Sequence, residues 1–189
     1  MVSYELKQLV NSMCDTIEMI ASKGGLDAGT DQAAKVELGM FMMYLSASDG
    51  EISWEEARII SDICDLNISP SQLGDFIREK GIYTTEFEQK VPVTFQLMVE
   101  ADKALIENGI NISASEAMLG TYKAVGEALI KSDGDIDDNE VADYRIYTNM
   151  LEEYRDRNLG SGSKATGFTK GGSSVSAPTK GGVQAPRKG

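Results

Sequence analysis

Two short segments of this chain place carboxylates where they could hold a hard cation. Ser48-Asp49-Gly50-Glu51-Ile52-Ser53-Trp54-Glu55-Glu56 matches Ser132-Asp133-Gly134-Asp135-Ile136-Asp137-Asp138-Asn139-Glu140 at a constant offset of 84 residues, sharing Ser, Asp, Gly, Ile and the final Glu. The order Asp-Gly-x-Ile-x-x-x-Glu is that of the second half of an EF-hand calcium loop. In that register Asp49 and Asp133 take the fifth position, Gly50 and Gly134 the tight turn, and Glu56 and Glu140 the terminal acid. The first half is absent. Its ligand positions hold Leu45 and Ala47 in one copy, Leu129 and Lys131 in the other, so the standard calcium cage is not expected. A weaker oxygen site is. The second segment crowds Asp133, Asp135, Asp137, Asp138, Glu140 and Asp143 together, and a divalent cation relieves the repulsion among them. Oxygen donors without imidazole or thiolate select calcium or magnesium first and manganese second.

The same residues also have a purely structural use. Each Gly permits a tight turn, and each Ile can fold back as an apolar pin between flanking helices. Ser53 or Asp137 can cap the incoming helix while Glu56 or Glu140 returns the bond. Acids near a helix start also favour its dipole.

Elsewhere the residue types exclude chemistry. The 189-residue chain contains no His, which removes Ser-His-Asp and Cys-His catalysis and His-ligated zinc. No activated nucleophile or Gly-rich phosphate cradle accompanies the acids, so neither an enzyme nor an organic cofactor is expected. Cys14 and Cys64 form no CxxC and read as buried free thiols of a reducing compartment. The N-terminus lacks the layout of a secretory signal, and the longest apolar run, Met40 to Leu45, is too short to span a bilayer. A cytoplasmic protein is expected. All 30 acids but only 13 of the 18 bases fall in residues 1–158, giving that body a net −17. Such a body repels nucleic acid and attracts cations or basic partners.

Helices must position these loops. Leu6, Leu9, Met13, Ile17 and Ile20 mark one helical face that Gly24-Gly25 ends. A second helix runs from Thr30-Asp31 to near Asp49, with Met40, Met42 and Met43 read as core. Ser53 with Glu56 caps a third, with Ile59, Ile60, Ile63 and Leu66 inward, and Trp54 packs locally over the loop. Ser69-Pro70 opens a fourth, closing at Gly81. Thr85 with Glu88 opens a fifth that breaks or kinks near Pro92 and resumes through Phe95, Leu97, Met98, Leu105 and Ile106. Ser113 with Glu116 caps a sixth, and Asp137 with Glu140 a seventh that ends near Asn158-Gly160. The Tyr and Arg residues of this last helix, Tyr144 to Arg157, read as a mixed packing and solvated face. No segment alternates with period two.

The expected architecture is therefore all-α, about seven helices in a pseudo-twofold bundle over residues 1–158, followed by a disordered tail over 159–189. The tail carries five bases and no acid. It repeats Thr169-Lys170-Gly171-Gly172 as Thr179-Lys180-Gly181-Gly182, each copy followed by Val-x-Ala-Pro. This duplication reads as a linker or as a bivalent docking peptide.

The run Met42-Met43-Tyr44-Leu45-Ser46-Ala47-Ser48-Asp49-Gly50-Glu51-Ile52-Ser53, with Glu55-Glu56 and the second copy Ser132 to Glu140, resembles the tellurite-resistance TerB family and its wider TerB-like superfamily. The resemblance covers roughly residues 5–156 in helix count and loop placement, with its specific residues confined to the two loops. It implies a seven-helix fold with pseudo-symmetric halves and a non-enzymatic part in tellurite, oxidative or phage stress within membrane-associated protein assemblies. It also implies metal ligands at Asp49, Glu51 and Glu56 in one loop and at Asp133, Asp135, Asp137 and Glu140 in the other. Some TerB-like chains continue into a J-domain that works through His-Pro-Asp, and the absence of His excludes that role here. The Thr-Lys-Gly-Gly tail lies outside the pattern. It carries the alternative reading, a metal-independent helical adaptor that recruits a protein partner through its tail.

Overall fold

The computed structural model describes residues 2–160 apart from Asp27, Asn111 and Asp135. Of the tail expected over 159–189, Leu159 is instead the last residue of α8 and packs against the core, while residues 161–189, like the candidate ligand Asp135, lie outside the described residues. Those described fold as α1 (Val2–Gly24), α2 (Thr30–Leu45), α3 (Trp54–Cys64), α4 (Pro70–Lys80), α5 (Thr85–Glu88), α6 (Val93–Glu107), α7 (Ala114–Ile130) and α8 (Asp138–Leu159), with no strand among them. Seven are full helices, and α5 is a single turn.

Local chemistry sets the boundaries. Ser53 accepts from the Glu56 N–H while the Glu56 carboxylate accepts from the Ser53 N–H, closing the expected capping box. Ser69 and Gln72 do the same ahead of Pro70. Of the two outcomes expected near Pro92, a break or a kink, the break occurs: the chain stops after one turn, capped by Thr84 rather than Thr85, and restarts at Val93. Proline has no N–H to give and keeps the residue before it out of helical geometry, so the break is complete. Pro92 has no side chain able to cap α6. Glu37 of α2 does so instead, accepting from the N–H groups of Val93 (2.9 Å) and Thr94 (3.1 Å) and from the Thr94 hydroxyl.

The duplication extends well beyond the loops. The offset of 84 carries Thr30 onto Ala114 and Trp54 onto Asp138, the first residues of the matching helices, and lays α1 over α6 and α3 over the first half of α8. Ala34, Leu38, Phe41, Met42 and Leu45 are buried in α2, and so are their equivalents Met118, Tyr122, Val125, Gly126 and Leu129 in α7. Two copies of a three-helix unit thus flank the inserted α4 and α5. They meet in a core where Phe41 packs on Tyr122 and Tyr147, with ring centroids 5.1 and 4.7 Å apart.

Several side chains depart from their expected places. Met42 and Met43 are core, with Met40 packed against it. Leu9, Leu97 and Ile106 reach the surface, because each helix's apolar stripe is wider than the face its neighbours cover, and Leu66 does so because α3 has already ended at Cys64. Cys14 and Cys64 are free but only half-buried. Ile52 packs beside Gly74 of α4, as a pin should. Ile136 does not, and is 56% exposed. The physical reason is that α3 ends and the chain returns as α4 over Ile52, whereas α8 runs straight on and no returning helix covers Ile136. Trp54, expected over its loop, is 70% exposed.

Candidate functional site

The two loops are built alike. Each follows a helix whose last turn bonds onward, Ser48 N–H to Leu45 O and Ser132 N–H to Leu129 O, both at 2.9 Å. Each then turns through a left-handed glycine, Gly50 at φ 90° and Gly134 at φ 87°. That conformation penalises any side chain, which is why Gly occupies both positions. Their aspartate turns differ: Asp49 Oδ1 accepts from the Glu51 N–H at 2.8 Å, whereas in the second loop it is Asp137, the equivalent of Ser53, whose Oδ1 accepts from the Asn139 N–H at 2.7 Å.

The fold brings the two loops together. Ser48 of the first donates to Asp143 Oδ2, just inside the helix that follows the second, at 2.8 Å. Tyr83, between α4 and α5, donates to the same oxygen at 3.1 Å. Glu56, Glu140 and Asp143 are buried at this junction, while Asp49, Glu51, Glu55, Asp133 and Asp138 stand exposed around it.

Electrostatics confirm the convergence. Burial, together with the negative charges of Glu56, Asp49 and, more weakly, Asp133, raises the Glu140 carboxyl to about 7, against a backbone hydrogen bond from Asp137. Two of those charges belong to the other loop. Burial likewise raises Glu56, opposed by hydrogen bonds at Ser53 and by the nearby Ser46 hydroxyl. Even so, Glu56 Oε1 and Ser46 Oγ are both buried without completing a hydrogen bond, as is Ser132 Oγ in the second loop. The described ion pairs involve none of Asp49, Glu51, Glu55, Glu56, Asp137, Asp138 or Glu140, and Lys131 beside them pairs with Glu127. Asp49, Glu51, Glu55, Glu56, Asp138 and Glu140 thus bring negative charge to the junction that no described ion pair offsets.

The sequence-predicted ligands therefore sort unevenly. Asp49, Glu56, Asp133 and Glu140 share one electrostatic neighbourhood. Glu51 and Asp137 lie in the same loops, engaged by backbone or exposed. Among the described residues, no three acids converge closely enough to enclose a bare metal ion. Each of Asp49, Glu56 and Asp137 already commits one oxygen to a backbone N–H.

Sequence reasoning missed Ser48 and Tyr83 as the bridge; the repeat of Ser48 as Ser132 was the available signal for the first, and nothing marked the second. A cavity of about 480 Å3 opens elsewhere, beside Met40, Phe76, Ile82, Phe87 and Val93, and none of the predicted acids lines it. No described helix is long and apolar enough to cross a membrane. The chain matches no protein-family model, no curated protein and no solved structure.

Proposed function

We propose that this protein is a non-enzymatic, TerB-like stress-response module whose joined acidic loops take a hydrated divalent cation. Calcium and magnesium fit this role best and manganese less well, since the donors are all oxygen and a strongly hydrated ion needs no closed cage. The cation screens charge contributed by both three-helix units, so its binding is coupled to how those units pack and to the docking of protein partners. Tellurite, oxidative or phage stress, in a membrane-associated assembly, is the setting that the TerB resemblance supplies.

One observation carries this reading. Glu140 of one unit sits in the repulsive field of Glu56 and Asp49 of the other, at a junction where no described base pairs with any of the three. A binding site for positive charge is the physical complement of that arrangement.

Metal-dependent melting tests it. At a cation concentration ten times its dissociation constant, linkage adds about 1.4 kcal/mol, a midpoint rise of several degrees. Wild type should show this rise with millimolar calcium or magnesium, and the Asp133→Ala/Asp135→Ala double variant should not. Equal midpoints with and without cation in the wild type, or an equal rise in both proteins, overturn the proposal.

A further inference from the structure

We infer that the joined loop face is a docking surface for this chain's own basic C-terminal segment, a lysine of a Thr-Lys-Gly-Gly repeat seating against Trp54 among the loop carboxylates. The inference rests on the charge and shape of the face and does not depend on the cation reading.

The face has two features that an acidic surface need not have. The first is Trp54, the only tryptophan of the chain, which stands 70% exposed at the start of α3 between Glu51 and Glu55, with Ile136 56% exposed on the adjoining loop. An exposed indole flanked by carboxylates is a receptor for an ammonium group, because ring face and anions attract the same cation. The second is Glu56 Oε1, on a side chain only 4% exposed, which lacks a hydrogen-bond partner and whose charge acts into the cluster at Glu140. No described ion pair offsets that buried charge.

The chain supplies the complement. Residues 161–189 contain Lys164, Lys170, Lys180, Arg187 and Lys188 and no acid. In each repeat the lysine precedes Gly-Gly, a bare backbone that lets it approach a surface closely, and the Val-x-Ala-Pro that follows offers apolar atoms for Ile136.

Reach selects between the copies. The loops lie at the start of α8 and Gly160 at its end, and a 22-residue helix is about 33 Å long. Lys170 is ten residues beyond Gly160, about 35 Å when drawn out fully, so it arrives only at full extension. Lys180 is twenty residues beyond, with a limit of ~70 Å when drawn out fully. The second copy therefore has chain length to spare in reaching the face, and the first has none.

The test uses the full chain in low salt with a chelator present, so that its outcome is independent of divalent cations. A zero-length carbodiimide reagent is applied to an equal mixture of unlabelled and 15N-labelled protein. Expected are amide cross-links from Lys180 to Glu51, Glu55 or Asp138, formed within single chains and reduced in Trp54→Ala. In parallel, acrylamide quenching of Trp54 should rise about twofold in Lys170→Gln/Lys180→Gln, as one ring face is uncovered. Wild type should match that variant in about 0.5 M NaCl, where charges are screened beyond ~4 Å. Cross-links only between labelled and unlabelled chains, cross-links from Lys180 only to other parts of the body, or quenching insensitive to both variant and salt would each refute the inference.

Discussion

Ser48 Oγ and Asp143 Oδ2, 95 residues apart in sequence, lie 2.8 Å from each other and join the two copies of the duplicated unit. Tyr83 donates to the same carboxylate oxygen at 3.1 Å and also reaches the Ser48 carbonyl at 3.4 Å. A buried carboxylate deprived of one hydroxyl loses about 1–2 kcal/mol, and two hydroxyls deprived of their carboxylate lose more. Ser48→Ala should therefore lower unfolding stability by about 1–2 kcal/mol and Asp143→Ala by about 3 kcal/mol. In a double-mutant cycle by urea melts the two should couple by more than 0.5 kcal/mol, since contacting residues are non-additive. Strict additivity would show that the bridge carries no energy.

Glu140 makes stability depend on pH in a defined window. Its carboxyl lies at about 7 in the folded chain against an ordinary 4.5, raised by burial and then by Glu56 and Asp49. The folded state thus binds the extra proton, and the stability this confers is complete below about 4.5 and is lost as pH rises through about 7. Glu140→Gln should flatten that slope and stabilise the protein at pH 8 by about 1–3 kcal/mol, with little effect at pH 4. Denaturant melts across pH 4–8 measure both arms. A variant less stable than wild type at pH 8 counts against the assignment.

Asp102 holds the start of α7 from within α6. Fully buried, its carboxylate accepts from the N–H groups of Ala114 (2.8 Å) and Ser115 (2.9 Å) and from the hydroxyls of Ser113 (2.8 Å) and Ser115 (2.5 Å). The negative charge also faces the positive end of the helix dipole. Asp102→Ala strands four donors and should cost about 3 kcal/mol by thermal or urea unfolding. A loss below 1 kcal/mol would mean that water replaces the carboxylate there.

Gly126 is small for a steric reason. A Cβ there would stand 2.7 Å from the Tyr144 ring and 3.2 Å from Phe41 Cζ. Gly126→Ala should destabilise by about 1–3 kcal/mol through overpacking. The penalty should shrink when Tyr144→Leu supplies room, and an undiminished penalty in that background would place its cause elsewhere.

Much of this molecule is legible in one dimension. The helix starts at Ser53, Ser69 and Ser113 were readable because capping is a contact between residues three apart, and chain sequence alone places both partners. The interruption at Pro92 was legible too, although local sequence alone does not separate a break from a kink. The left-handed turns at Gly50 and Gly134 follow equally from local sterics. The candidate acids were legible as two separate loops, and the constant offset of 84 residues hinted that they are related by duplication.

What the linear order could not decide is everything that depends on neighbours distant in the chain. Whether Glu140 feels Glu56, whether Asp102 caps α7 and Glu37 caps α6, and which of two identical isoleucines is covered are set by which helices pack together. Ile52 and Ile136 occupy the same place in the same motif, yet only Ile52 has a returning helix above it. Periodicity gives a residue its side of a helix; burial, and the charge that burial concentrates, come only from what the folded chain lays against that side.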